Sequence, residues 1–427
     1  MSEQPHKSTE QPELPEPSQP DQVEKSTVAD PKADETRIKA KRPDWVTSAV
    51  ITLASLVLAF IVAAFVMVFT DAEVAGKWAY FFAQPGDALA ASWEKIASTF
   101  HAMWVGSMGS WVAITNTTAE AAPLICAGLG VAVAFRAGLF NIGAQGQAML
   151  GALTAAFLGF SITGLPLALH LPMVILIGIL AGAIWGGIVG LIKARTGAHE
   201  VILTIMMNYI AGNLLAFLML QPLFQAPGRA DPISPVLQWT ATMPRLAGTR
   251  LHLGFLLALL AALLVWWLLE RTKFGVHLKA VGLNPNAAAT SGASVPMITM
   301  LTMSLAGGLA GLAGVQTVTA PELLTGFPPQ MTGTIIGTLG FDAITVALLG
   351  RSRPLGVVFA GLLFGALKAS RRTMVTMAGT PDKLTDLIQA LIVLFVAAPA
   401  FVVWLLPFLR ERKAKRAVAE SRKVAAA

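Results

Sequence analysis

The densest set of hydrogen-bonding residues inside an apolar stretch is FRAGLFNIGAQGQ, residues 135–147, where Asn141, Gln145 and Gln147 sit among Gly138, Gly143 and Gly146. An uncharged amide donates and accepts at once, so it can exchange hydrogen bonds with a hydroxyl or a heterocycle without holding an ion tightly. Glycines at that spacing permit a chain break or a close backbone approach. A pathway for a neutral polar solute fits this pattern, and so does a set of interhelical amide bonds that only binds helices together. Three further sites invite the same two readings: Thr117, Thr118 and Glu120 ahead of Pro123, Asn208 within ILTIMMNYIA, and Asp342 within GFDAITVALLG. Glu120 and Asp342 are the only acids expected inside spans. Either would serve a self-contained, ion-coupled secondary transporter as a proton or sodium site. The plainer reading, a carboxylate satisfied by a helix N-terminus or a hydroxyl, is preferred for Asp342.

Other chemistries are excluded by the residues present. No G-x-x-x-x-G-K-[ST] loop occurs, and Lys77, the only lysine after a glycine, precedes Trp78, so the chain cannot cradle ATP phosphates in that way. There is no H-E-x-x-H, no G-x-S-x-G elbow and no His/Cys cluster, and His199-Glu200 stands apart from any such motif. The single cysteine, Cys126, rules out a disulfide framework and a zinc cluster. The chain reads as a non-enzyme.

The elements that must position these residues follow from composition. With 55% hydrophobic and 13% charged residues among 427, the chain is a membrane protein. Its net charge of +7 is carried by Lys and Arg interleaved with long apolar runs, which points to membrane topology and not to nucleic acid. Residues 1–44 hold 7 Lys and Arg against 10 Asp and Glu, are rich in proline, and read as a disordered cytoplasmic tail. The first apolar run begins near Trp45, too late for a cleaved leader. Crossing about 30 Å of hydrocarbon takes about 20 apolar residues. Ten segments qualify or nearly so, approximately 45–69, 111–135, 139–160, 171–192, 201–220, 251–269, 296–318, 331–349, 355–370 and 384–409. The chain is thus an all-α polytopic membrane protein of about ten transmembrane helices, with the permease-sized body at 45–409 and a basic tail at 410–427. The segments at 139–160, 331–349 and 355–370 contain enough glycine and polar residues to be broken or re-entrant.

Lys and Arg stay on the cytoplasmic side of a membrane. Arg37, Lys39, Lys41 and Arg42 put the N-terminus inside; alternation then places Arg136, Lys193, Arg195, Arg271, Lys273, Lys279, Arg351, Arg353 and the C-terminal tail inside as well. Arg229, Arg245, Arg250, Lys368, Arg371, Arg372 and Lys383 fall in outer loops on this scheme. Gly182/Gly186/Gly190, Gly307/Gly311 and Gly361/Gly365 carry the four-residue spacing that lets helix backbones approach.

Between two spans on the inner side lies LERTKFGVHLKAVGLNPNAAATSGASV, residues 269–295. Asn284 can cap and Pro285 fits the first helical position, so a short cytoplasmic helix is expected after Gly282.

Together these segments bring a family into view. KAVGLNPNAAATSGAS resembles the coupling segment of permease subunits in bacterial ATP-binding-cassette importers for simple sugars and nucleosides. FRAGLFNIGAQGQAMLGA looks like the signature such permeases carry after their second span, GAHEVILTIMMNYIA like the stretch entering their fifth, and GFDAITVALLGRSRPLGVVFAGLLFGAL like a later signature. The four matches stand in order over roughly residues 110–370, and within the family the resemblance is to the longer permease of nucleoside-type systems. The family pattern often has Glu where Gln145 stands, and the tail of residues 1–44 is not part of it. The resemblance implies a type II importer permease fold in the bacterial cytoplasmic membrane. It implies a second, shorter homologous permease as heterodimer partner, a cytoplasmic ATPase that holds ATP and magnesium, and an external solute-binding protein. On that picture Gly282, Asn284, Ala287, Ala288 and Gly292 match the coupling motif that docks on the ATPase. Asn141, Gln145, Gln147 and Asn208 are candidates for solute or gate contacts. Arg229, Arg245, Arg250, Arg371 and Arg372 are candidates for pairing with acidic residues of the binding protein, or else for contact with lipid phosphate. The solute is left open between nucleosides, simple sugars and a riboflavin-like compound, and a scaffolding protein with no solute remains the third class beside the two transporters.

Overall fold

The computed structural model describes residues 45–246, 248–320 and 329–405. The tails expected at 1–44 and 410–427 lie outside the described residues. Contacts divide the chain into residues 1–48 and a compact unit, Ala49–Ala427. Among the described residues the unit is all helical, with two isolated β-bridges and no strand. In chain order the helices are α1 (Trp45–Thr70), α2 (Ala72–Trp78), α3 (Pro85–Met108), α4 (Trp111–Arg136), α5 (Ala144–Ser161), α6 (Leu167–Thr196), α7 (Glu200–Leu218), α8 (Leu253–Arg271), α9 (Lys273–Leu283), α10 (Pro285–Thr290), α11 (Val295–Thr319), α12 (Leu339–Leu349), α13 (Pro354–Ala378), α14 (Leu384–Ala397) and α15 (Pro399–Leu405).

Seven helices are long and apolar enough to cross a membrane: α1 from Val50, α4, α6, α7, α8, α11 and α13. With the 18-residue α5 and the shorter apolar helices α12 and α14, the total of about ten holds. The core forms where α4, α5, α6 and α11 meet. Gly182 of α6 and Gly307 of α11 face each other so closely that a Cβ on either would strike the other's carbonyl oxygen; one turn along, a Cβ on Gly311 would strike the Gly178 carbonyl oxygen and one on Gly178 the Val315 side chain. Gly314 presses on Ala148 of α5 in the same way. Small residues there replace side-chain interdigitation by backbone approach, the packing mode of helices in lipid. Gly361 and Gly365 of α13 lie against Ile125 and Ala121 of α4 by the same device.

Three expectations change. Residues 355–370 are not broken: α13 is an unbroken 25-residue helix running to Ala378, because its glycines are packing positions and its Pro354 stands at the tolerated first turn. Lys368, Arg371 and Arg372 consequently lie on a helix and not in an outer loop. The last apolar run breaks at Ala398, before Pro399, instead of continuing as one span. The expectation of a break does hold at 331–349, where the helix is only α12's 11 residues, ~16 Å at 1.5 Å per residue, about half a bilayer. It holds again at residues 139–143, which are not helical.

Helix α3 has no counterpart in the span reading, since its mean hydropathy is diluted by Asp87, Glu94 and Lys95. It buries a narrow stripe of Ala88, Ala91, Ser92, Thr99, Ala102 and Gly106. Gly106 lies against Ser370 and Thr373 of α13, while Lys95 Nζ donates to the Ala378 carbonyl at 2.8 Å and pairs with Asp71 at 2.6 Å. Helix α3 thus follows the last turns of α13 and leads straight into α4, whose first turn is capped by Ser110 Oγ accepting from the Ala113 N–H at 3.1 Å. That end of the bundle is opposite the one where Arg136, Glu270, Lys279 and the Ser352 carbonyl gather.

Candidate functional site

The four amides singled out in the sequence are held at one junction, and each is spent inside the chain. Gly143 stands at the N-cap of α5 and has no side chain to cap with. Asn208, reaching across from α7, does it instead: its Oδ1 accepts from the Gly146 N–H at 2.8 Å, and its Nδ2 donates to the Ile142 carbonyl at 3.0 Å. An orphan N–H of the first helical turn is thereby satisfied from a neighbouring helix. Asn141 and Gln147, both fully buried, pair amide to amide, Asn141 Nδ2 donating to Gln147 Oε1 at 3.2 Å while Asn141 Oδ1 accepts from the Gly143 N–H at 2.8 Å. Gln145 faces the start of α12, donating to the Gly337 carbonyl and accepting from the Gly340 N–H, both at 2.7 Å. The broken segment and the half-helix are therefore fixed to one another by one side chain.

Glu200 belongs to the same junction, which sequence reasoning missed by treating His199-Glu200 as isolated. Its Oε1 accepts from the Phe140 N–H at 3.2 Å and its Oε2 pairs with Lys193 at 2.7 Å. The signal was available in its place just before the apolar run of α7, the N-terminal position that favours an acid. Glu200 and Glu270 also correct the expectation that Glu120 and Asp342 are the only acids on spans, although both lie at helix ends.

The two acids proposed for ion coupling each have a cation. Glu120 Oε1 meets Arg250 at 3.3 Å, and Asp342 Oδ2 meets Lys368 at 2.6 Å and accepts from the Thr338 hydroxyl at 2.9 Å. The hydroxyl partner expected for Asp342 is thus present. Glu120 lies 16 residues before Arg136 on α4, ~24 Å along the helix axis from that end of the bundle.

The candidate docking arginines are not brought together as a free cationic patch. Arg229 makes a two-point contact with Asp231, both at 2.8 Å, and Arg371 a two-point contact with Asp382. Arg371 beside Asp382 holds that carboxyl below its usual range. Arg245 stands on a tight turn whose backbone pairs with His252. Arg372 is exposed on α13.

Two cavities open at this end and share Glu120 and Arg250. The smaller, about 370 Å³, is bounded by Asn116, Lys368 and Arg372; the larger, about 510 Å³, by Pro123, His252, Gln316 and Gln330. His252 is buried, accepts from the Gly254 N–H at 3.0 Å, and is pushed down to about 4 by burial and by Arg250, so it is neutral at pH 7. Gln316, His252 and Gln330 were not singled out in the sequence; a lone glutamine near a helix end carries no pattern by which to find it.

At the opposite end α10 is the expected short helix, and α9 precedes it as a second one that the sequence reading did not include. Asn284 Oδ1 caps α10, accepting from Asn286 and Ala287 N–H groups at 3.0 and 3.1 Å, with Pro285 at the first position. Gly292 ends the segment with φ +89, a left-handed conformation suited to glycine. Gly282 passes against the Arg136 carbonyl, where a Cβ would collide. Ala288 is buried at 3% exposure and anchors α10, whereas Asn284, Pro285, Ala287 and the 88%-exposed Leu283 face outward.

The family model described as "Branched-chain amino acid transport system / permease component" matches residues 113–397. The chain is 37% identical over 326 residues to the guanosine ABC transporter permease protein NupP of Bacillus subtilis, covering 75% of this chain and 90% of that protein. It is 33% identical to the nucleoside ABC transporter permease protein NupB of Lactococcus lactis over 74% of this chain and 87% of that one. It is 32% identical to the glucose ABC transporter permease protein TsgB13 of Haloferax volcanii over 70% and 80%. No solved structure matches significantly.

Proposed function

Because this chain belongs to the branched-chain amino acid transport system permease component family, we propose that it is the membrane subunit of an ATP-binding-cassette importer, forming the path for a nucleoside or related sugar-containing solute. The observation that carries the reading is the 37% identity to a guanosine transporter permease along 90% of that relative's length. In this reading an external binding protein delivers the solute, a shorter homologous permease completes the path, and a cytoplasmic ATPase that holds ATP and magnesium drives it. The protein spans the bacterial inner membrane many times, with both termini and α10 in the cytoplasm. The Pro-rich residues 1–44 then form a cytoplasmic tail before the permease body at 45–409.

The geometry supplies a mechanism for the coupling end. Leu283, Pro285 and Ala287 offer an apolar and polar-capped face to the ATPase, and Ala288 fixes that face to the bundle. Closure of the ATPase would push α9 and α10, and Gly282 against Arg136 and Ala137 would pass the movement to the α4–α5 junction. From there Gln145 links the junction to the half-helix α12. On this reading Asn141, Gln145, Gln147 and Asn208 set the shape of the path by holding the broken segment, and a solute meets the faces they position. Glu120 and Asp342, each paired with a cation, are less suited to carry a travelling proton than to hold helices together.

The test is an affinity pull-down of the tagged chain from mildly solubilised membranes, with nucleoside uptake measured in the same cells. Recovery of an ATPase and a second permease, with uptake lost when the ATPase gene is deleted, is expected. Uptake that survives that deletion and is abolished by an uncoupler would replace this reading with the ion-coupled one.

A further inference from the structure

Resting on that transport reading, we infer that the 510 Å³ cavity walled by Gln316, Arg250, Glu120 and His252 is a binding site for an uncharged, nucleoside-sized solute within a single copy of this chain. Its volume falls in the range of roughly 300–1,000 Å³ typical of small-molecule sites. Its walls come from five separated stretches, α4, residues 229–233, residues 250–252, the end of α11 and residues 329–335, so tertiary structure builds it and no single loop does.

Buried polar atoms without partners lie on residues of its wall. Gln316 is 1% exposed, and its Nε2 donates to the Gly254 carbonyl at 3.1 Å and contacts Cys126 Sγ at 3.3 Å. A carbonyl oxygen only accepts, so this contact fixes the amide's orientation and leaves Oε1 as the acceptor without a donor. Nε of Arg250, which with Glu120 is common to both cavities, is likewise buried without a partner, as is Oδ1 of Asn116, a residue of the adjoining cavity. Pro123 has no N–H, so the Ala119 carbonyl lacks its usual donor four residues on, and both residues line the cavity. Buried polar groups are normally paired. The four amides at the α5 junction obey that rule, and Trp185, Thr302, Thr380 and Gln389, on neither cavity, each hold an unpaired atom; at this wall two such groups, on Gln316 and Arg250, converge on one cavity.

The field in the cavity is close to neutral. Arg250 is offset by Glu120, Arg229 by Asp231, and His252 is uncharged at pH 7. An anion or a cation would gain nothing from entering. Sugar hydroxyls can meet Glu120 and Gln330 at the wall, and a solute edge that draws Gln316 and Arg250 toward it can donate to Gln316 Oε1 and accept from Arg250 Nε, both of which lie covered beneath that wall.

The experiment uses the whole transport complex in lipid nanodiscs, without the external binding protein and without ATP, and measures equilibrium binding of tritiated guanosine and uridine. Saturable binding of one of them is expected, one site per copy of this chain, weakened at least tenfold by Gln316→Leu and abolished by Thr332→Trp, which fills the cavity from its half-buried rim. Melting temperature and ATPase co-purification should be unchanged in both; if Gln316→Leu proves unstable because it also loses the Gly254 bond, Thr332→Trp alone decides. Wild-type affinity in both stable variants would overturn the inference, as would no binding by a wild-type complex that still imports guanosine or uridine in cells, and the transport reading would stand. Import of neither nucleoside by cells carrying the intact complex would instead overturn the nucleoside reading.

Discussion

Replacing Gln145 by leucine is the sharpest test of how the two broken segments are joined. The side chain fills its place equally well with a leucine of similar size, so the loss is confined to two hydrogen bonds of 2.7 Å, one to the Gly337 carbonyl and one from the Gly340 N–H. Gly340 cannot turn away, because its Cα packs on the Gln145 backbone so tightly that a Cβ would collide there. Each backbone group left buried and unpaired costs about 1–3 kcal/mol. Side-chain bonds between membrane helices measure lower, about 0.6 kcal/mol on average and about 1.7 at most, since the unfolded reference also finds partners in lipid. Two bonds therefore bracket the loss between about 1 and 6 kcal/mol, and about 2 is the working value, a factor of roughly 30 in the local equilibrium at 1.4 kcal/mol per decade. The expected result is a lower melting temperature for the purified complex together with impaired uptake. ATPase co-purification should be retained, because α9 and α10 are held by separate contacts. Hydrogen exchange at residues 337–342 should accelerate more than exchange in α11. A variant with wild-type melting, exchange and uptake would refute the claim that this side chain fixes α12 to α5.

Further outcomes follow from other contacts. Leu283→Glu should abolish co-purification of the ATPase at unchanged melting temperature, whereas Ala288→Glu, which buries a charge under α10, should lower the melting temperature as well; equal effects from both would contradict the division between docking face and anchor. Gly307→Leu forces a side chain into the Gly182 backbone and should cost at least the 1–3 kcal/mol of ordinary overpacking, visible as loss of folded protein on size-exclusion chromatography; a well-folded variant would show that the α6–α11 crossing is looser than described. Lys95 holds the Asp71 carboxyl below its usual 3.8, so their contribution to stability is complete above the unfolded value and disappears as pH falls through the depressed folded one. Melting of the wild type should accordingly decline below about pH 4, and Asp71→Asn should reduce that decline; an identical acid profile in the variant would remove the pair from the account.

How much of this was legible in the sequence depends on whether a residue's partners are close in the chain. The helix inventory could be read because about 20 apolar residues in lipid have no other way to satisfy their backbone. The cap of α10 was legible for the same local reason, since Asn284 and Pro285 act on their own helix. Helix α3 was not, because its burial rests on a stripe of small residues and its partner, the last turns of α13, lies some 270 residues away. The amides at residues 141–147 had the composition of a solute path and of a packing joint alike, and only the positions of Asn208, Gly337 and Gly340, 62 to 195 residues distant, show where their bonds go. Gln316 presents the reverse case. It sits in a helix of glycines and alanines that reads as pure packing, yet its buried Oε1 has no donor and the residue borders the cavity. A polar residue in a membrane helix is thus interpretable only together with its surroundings: Gln316 and Thr302 stand on the same helix and each holds an unpaired atom, yet only Gln316 borders the cavity.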